Sequence, residues 1–343
     1  MSKNNFWKNK KVFITGHTGF KGSWLSIFLH HLGAKITGYS LPATKKSLYN
    51  MANLKKIFTK SYSADVRDFK KLYSAIKDSK TDIVFHLAAQ PLVLESYKNP
   101  LETFQTNMIG TLNLIEAVRK LKYIKSAVII TTDKVYDTKK NKVFKETDLL
   151  GGSDPYSMSK VCCELISKSY SESFEVFNKR ILTTARAGNV IGGGDYSKDR
   201  IIPDIYKSYN TKKKLLIRNP NHVRPWQHVL EPLYGYLIIA EKTYKKKLPL
   251  NMENWNFAPN INDCKSVLYV VNKFKKKINF KTKLITQKRR KKETKILKLD
   301  SYKSKKHLNW KPKWSLSETI NKIVEWNNLI KTKKPLDVCK IQI

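Results

Sequence analysis

The stretch "KVFITGHTGFKGSW", residues 11–24, limits the folds open to this chain more than any other. A short apolar run stops at Gly16, and Gly16, Gly19 and Gly22 then lead directly into a helical pattern. Strand, glycine turn and helix in that order open a dinucleotide-binding unit. The first glycine permits the tight turn, the second lets the backbone approach a pyrophosphate, and the third lets the helix pack closely on the strand.

The chain keeps this rhythm. Strand patterns at 11–15, 34–40, 82–89, 126–132 and 180–188 alternate with helical patterns at 21–33, 67–79, 100–121 and 155–174. That order predicts an α/β fold, a Rossmann-like doubly wound parallel sheet. From about residue 187 the alternation breaks into "GNVIGGGDYSKDRIIPD", and it returns with a helix at 228–244 and a strand in "NWNFAPN". The expected division is a dinucleotide-binding domain over 1–186, with 228–262 returning to it, and a smaller substrate-binding domain from 187–227 and 263–343. The basic run at 273–295 reads as a solvated surface strand and loop.

Lys and Arg number 67 against 27 Asp and Glu, a formal charge of +40. Such an excess raises a nucleic-acid or acidic-membrane reading. The lysines are spread along the whole chain rather than gathered in a stripe. We therefore expect no specific nucleic-acid partner, only loose association with polyanions at low salt. Cys162, Cys163, Cys264 and Cys339 show no C-x-x-C spacing, which predicts reduced thiols and no metal site. The N-terminal apolar run "VFI" is too short for a signal segment, and no stretch has the length of a membrane span. A cytoplasmic protein with no membrane partner is expected.

A dinucleotide site of this kind ordinarily places an acid about 20 residues after the glycines to grip the ribose. No Asp or Glu precedes Asp65 here, and the second strand ends instead near Ser40, Thr44, Lys45 and Lys46. Taken alone, that favours NADP. In "ADVRD", after a third strand, Asp65 is a candidate partner for the adenine and Asp68 for a helix cap.

"YSMSK" sets Tyr156 four residues before Lys160, on one helix face. An ammonium beneath the phenol would lower its pKa towards use as a base. Most such pairs merely share a solvated face, so the spacing alone is weak. "TTDKVYD" adds Thr131, Thr132, Asp133 and Lys134 just after a strand, at the carboxyl end of the sheet where ligands bind in such folds.

The glycine loop, "HLAA" at 86–89, Thr132, and Tyr156 with Lys160 together resemble the extended short-chain dehydrogenase/reductases that act on nucleotide sugars. "HLAAQPLV", "TTDKVY", "GGSDPYSMSK", "ARAGNVIGGGDYSKDRIIPD" and "RPWQHVLEPLYGYL" are similar, within that group, to the CDP-glucose 4,6-dehydratases, and the likeness runs over nearly the whole chain. The resemblance implies a redox-neutral lyase of deoxysugar and O-antigen-type polysaccharide synthesis. Tyr156, helped by Thr132 and Lys160, takes the C4 hydroxyl proton as hydride leaves C4; water is lost across C5 and C6; hydride returns to C6.

It further implies Asp133 as acid and Lys134 as base for the elimination, and CDP-glucose as substrate, its phosphates held by Arg200 and Arg224 with Asn189. A tightly kept NAD is implied rather than NADP, with Gly16, Gly19, Gly22, Ser40, Asp65, Ala88, Tyr156 and Lys160 around it, and a homodimer packed through the helix of Tyr156. Asn107 is expected to be structural, His86 to close a strand, and His17 to face the phosphates. Another nucleotide-sugar 4,6-dehydratase, a 4-epimerase and a noncatalytic dinucleotide sensor stand as alternatives.

Overall fold

The computed structural model describes residues 5–139, 142–177, 182–248, 253–285 and 294–343. Its centre is a sheet of seven strands: β1 Lys11–Thr15, β2 Lys35–Ser40, β3 Phe58–Ser63, β4 Ile83–His86, β5 Ser126–Ile130, β6 Leu182–Ala187 and β7 Asn254–Phe257. The spatial order is β7-β6-β5-β4-β1-β2-β3, with every pairing parallel. Val12 of β1 stands between Ile36 of β2 and Ile83 of β4. The chain reverses its winding there, so the crevice above β1 and β4 is the ligand-binding end expected of a doubly wound sheet.

The inner strands are apolar on both faces because helices cover both. On one face lie α1 (Phe20–His31) and, further along the chain, α6 (Leu230–Tyr244). Trp24, Leu25, Phe28, Leu233, Tyr236 and Leu237 join one core there. On the other lie α2 (Phe69–Ser79), α3 (Gly110–Lys120) and α4 (Pro155–Ser173). Leu72, Ile76, Leu114 and Val118 lead the core on that side. A third core, of Ile202, Ile205, Trp226, Val271, Phe274 and Ile320, joins α5 (Ile201–Thr211), α7 (Val267–Lys275) and α8 (Leu316–Leu329). The chain closes with α9 (Pro335–Gln342), whose Val338 and Cys339 reach the first core.

Local signals account for the helix starts. Asp68 caps α2 by accepting from the Lys71 amide, as expected, and Asp154 caps α4 by accepting from the Ser157 amide at 2.9 Å, with Pro155 in the first turn.

Two expectations need correction. The helical pattern at 100–121 is interrupted: a short helix, Pro100–Phe104, passes through a π turn at Gln105–Ile109 before α3. The basic run at 273–295 is not simply a surface strand and loop. It starts on α7 with Phe274 fully buried, and only Thr282–Leu284 forms a strand, beside Leu215–Ile217; residues 286–293 of the run lie outside the described residues.

Among the described residues no helix is long and apolar enough to cross a membrane.

Candidate active site

The glycine loop joins β1 to α1. Gly16 has φ +72°, and a Cβ there would lie 2.6 Å from the Ala88 amide nitrogen at the end of β4. A Cβ on Gly22 would lie 2.1 Å from the Gly16 carbonyl oxygen. These two glycines are therefore demanded by the protein's own packing. Gly19 is different: it is exposed, its φ is −76°, and a Cβ there would meet nothing nearer than 3.4 Å. Only an incoming ligand gives a reason to keep that position bare. α1 also starts without a side-chain cap or an acidic first turn, leaving its amide groups for an anion. The loop fits a dinucleotide pyrophosphate.

Beside it, Ser40 and Thr18 share a hydrogen bond of 2.7 Å. Asp65 is held by Arg67, with Oδ2 2.6 Å from the guanidinium. His17 does not face the phosphates. Its ring is buried against Tyr49 and Phe58, and Nε2 lies 2.8 Å from the Ser61 hydroxyl. Burial lowers its pKa to about 4, against a smaller upward pull from a backbone contact with Tyr39. The reason for the turn is steric and apolar: the ring fills the space over Gly38, where a Cβ would lie 2.6 Å away. His86 is buried in β4 between the hydroxyls of Thr15 and Thr111, at 2.7 and 3.1 Å.

A cavity of about 490 Å³ opens next to this loop, and Thr132, Asp133, Lys134, Tyr156, Asn189, Arg200 and Arg224 all line it. Residues far apart in the chain are thus brought together as expected. Thr132 ends the stretch after β5, and its hydroxyl donates to Asp133 Oδ1 at 3.0 Å. Arg200 reaches Asp195 at 3.4 Å. Arg224 is buried and donates to the carbonyl of Val223 at 2.9 Å.

Lys160 does not line the cavity. It lies buried one turn behind Tyr156, donating through Nζ to the Ile130 carbonyl at 3.0 Å. The expectation that it lowers the phenol's pKa is not met within the protein itself. Burial pushes Tyr156 up to about 12, Asp133 and Asp154 push the same way, and only the Thr132 hydroxyl and Arg200 oppose them. Burial also raises Asp133, against the pull of Lys134, the Thr132 hydrogen bond, Arg224 and Lys21. Its second oxygen, Oδ2, is buried with no hydrogen-bond partner in the structure.

Two supporting networks hold these groups. Asn107, in the π turn, accepts from the Gln90 amide at 2.8 Å and donates to the Ser159 hydroxyl at 2.8 Å, fastening the loop after β4 to α4. Behind the stretch 131–134, Glu164 of α4 accepts from Thr131, from Thr184 at 2.8 Å, and from Arg186 Nε and Nη2 at 2.9 and 2.8 Å. Arg186 also donates to the Tyr136 hydroxyl at 2.9 Å. Burial alone would raise the Glu164 pKa, but Arg186 and the hydrogen bonds outweigh it and hold it below the ordinary value.

A third link joins the two sides of the site. Trp24 of α1 donates through its indole to the Gly193 carbonyl at 2.9 Å, and a Cβ on Gly193 would lie 2.1 Å from the Trp326 ring of α8.

Sequence reasoning passed over Lys21, which lines the cavity, as well as Glu164 and Arg186. It also passed over Tyr236 of α6, buried with an unpartnered hydroxyl and in the electrostatic reach of Tyr156 and Asp133.

The family profile described as GDP-mannose 4,6 dehydratase matches residues 13–323. The chain belongs to that family. Every candidate catalytic and binding residue falls within the matched span, and α9 lies beyond it. Within the family, the chain is 44% identical to the CDP-glucose 4,6-dehydratase of Salmonella typhimurium, over 95% of this chain and 93% of that one. In fold it is similar to the dTDP-glucose 4,6-dehydratase of Bacillus anthracis, solved with NAD (TM-score 0.79, 22% identity, covering 95% of this chain and 99% of that one). It is likewise similar to the UDP-glucose 4-epimerase of Thermotoga maritima, solved with UDP-glucose (TM-score 0.80, 21% identity, covering 93% and 99%).

Proposed function

We propose that this protein is a nucleotide-sugar 4,6-dehydratase that converts CDP-glucose to CDP-4-keto-6-deoxyglucose. One observation carries the reading: Asp133 and Lys134 share a cavity wall with Thr132 and Tyr156. A tyrosine and a threonine suffice to move a proton at C4 during oxidation or epimerisation. Loss of water needs, in addition, a base for C5 and an acid for the C6 oxygen, and the neighbouring carboxyl and amine provide both types. The relation to the Salmonella enzyme supports cytidine as the base.

The chemistry a bound NAD supplies is acceptance of hydride from C4, its return at C6 and, when oxidised, a positive charge beside the phenol. Gly16, Gly19 and Gly22 would hold its pyrophosphate, with Ser40 and Asp65 towards the ribose and adenine and Ala88 and Lys160 beside the nicotinamide half. Tyr156 takes the C4 hydroxyl proton with Thr132 aligning that hydroxyl. Lys134 takes the C5 proton and gives it back when the double bond is reduced. Asn189, Arg200 and Arg224 position the diphosphate.

Since the hydride is returned in each cycle, the cofactor stays bound between turnovers. Residues 1–186 and 228–262 then form the dinucleotide side and the remainder the sugar side. Met158 and Leu165 on α4, with Leu101 nearby, are exposed apolar residues, which supports a homodimer built through that helix. A cytoplasmic role supplying deoxysugars for cell-surface polysaccharide such as lipopolysaccharide follows from the product.

The purified protein, mixed with CDP-glucose and followed by proton NMR, is expected to give a new C6 methyl doublet. A galactose-configured product would instead establish an epimerase. A methyl doublet only from another nucleotide sugar would keep the dehydratase and remove cytidine.

A further inference from the structure

Lys21 sits between the second and third glycines of the loop, in the first turn of α1, and it lines the same cavity as Asp133, Lys134 and Tyr156. Its backbone is fixed on one side by the close approach of Gly22 to Gly16, so the side chain is presented from a rigid base. The charged groups facing it come from three elements: Arg200 ahead of α5, Lys160 on α4 and Asp133 after β5. An amine in that position is half-buried on the cavity wall and set against two cations. Burial first, then Arg200 and Lys160, bring its pKa down to about 7, with Asp133 pulling the other way. Both its protonated and neutral forms are accessible at working pH.

The proton account of the reaction proposed above shows why such a group is needed. C4 oxidation releases the O4 proton to Tyr156. The C5 proton goes to Lys134 and returns to C5, a closed exchange. Breaking the C6–O bond requires one more proton, delivered to the departing oxygen so that it leaves as water. Over a turnover one proton therefore leaves O4 and one arrives at O6, and the donor at O6 can be reset by the proton that Tyr156 holds. The cations acting on the Asp133 carboxyl are Lys134, Arg224 and Lys21. Arginine does not release a proton in proteins, and Lys134 is occupied with C5. Lys21 remains.

We propose that Lys21 is a catalytic residue paired with Asp133, the two together delivering the proton on which the C6 oxygen departs. This rests on the dehydratase reading above. The second oxygen of Asp133 is buried with no hydrogen-bond partner in the structure, which leaves it open to an amine approaching from the cavity. The pairing also accounts for a lysine in the middle of a loop whose dinucleotide-binding task needs only glycines and backbone amides.

The test compares wild type with Lys21→Met and Lys21→Arg. It measures NAD and CDP-glucose binding by calorimetry, reduced nicotinamide by absorbance after mixing, and methyl product by NMR. Both variants are expected to melt normally, bind both ligands and form reduced nicotinamide, while methyl product falls about 100-fold or more, the scale of a lost general acid. Arginine keeps the charge but not the proton, so recovery in Lys21→Arg would reduce Lys21 to an electrostatic role and overturn the proposal. So would loss of NAD binding in both variants, which would make Lys21 a cofactor ligand only. Adding Asp133→Asn to Lys21→Met is expected to cost little beyond either change alone; losses that multiply would dissolve the pair. Wild type without methyl product overturns the parent reading. Wild type with product and an unimpaired Lys21→Met overturns Lys21 alone.

Discussion

Gly19 separates what the glycine loop owes to folding from what it owes to a ligand. Its neighbours Gly16 and Gly22 are forced by contacts of 2.6 and 2.1 Å that any Cβ would make, whereas Gly19 has 3.4 Å of clearance and ordinary φ. Gly19→Ala is expected to change unfolding free energy by less than about 1 kcal/mol, yet to weaken NAD binding about tenfold or more, because the methyl stands where a pyrophosphate would approach. Calorimetric titration beside a thermal melt checks this; unchanged affinity would move the phosphates elsewhere. The loop was legible because glycine at that spacing after a strand has few other uses. Lys21 was not, since one lysine among 67 basic residues carries no signal until the fold turns it into the cavity. Tyr156 was legible as a position, but its electrostatics were not: the spacing to Lys160 is right, while the ammonium is committed to Ile130.

At the level of elements, α4 matters for what is fastened behind it as much as for Tyr156 and Lys160. Glu164 binds this helix to the end of β5 through Thr131 and to β6 through Thr184 and Arg186. Arg186 is 2% exposed, so removing its partner strands a buried charge. Glu164→Ala is expected to cost about 3–5 kcal/mol, and the double change with Arg186→Met to cost less than the single one. Urea unfolding of both variants decides it, and a single-variant loss near zero would show that water replaces the carboxylate.

The strand and helix order was readable because inner strands covered on both faces are nearly continuous apolar runs. The edge strand β3 escaped a defined range because "FTKSYS" is polar and mostly exposed. The π turn at Gln105–Ile109 escaped because one inserted residue barely disturbs a helical pattern. The end of α7 was hidden by Lys273 and Lys275 on either side of Phe274, whose burial marks the helix.

Across the whole molecule, histidines the fold keeps neutral contribute to acid sensitivity from pH 6.5 downwards. Burial lowers His17 from 6.5 to about 4 and both His86 and His228 from 6.5 to about 3, with nearby lysines adding to the effect for the latter two. Below pH 6.5 the unfolded chain takes up protons that the folded chain refuses. Stability is therefore complete above that pH and falls as pH drops towards 4. At about 1.4 kcal/mol per unit, His17 alone accounts for about 3 kcal/mol. Urea midpoints between pH 7.5 and 4.5 are expected to fall steadily, and less steeply in His17→Asn; a flat profile would mean that these rings are protonated in the native state.

The Trp24, Gly193 and Trp326 contact has a practical side as well. One indole rides on α1, which begins at the glycine loop, the other on α8 against Gly193, and both are shielded from solvent. Their emission comes from the seam between the glycine loop and the Gly193 loop, so these two of the chain's seven tryptophans are an unlabelled optical reporter of movement there.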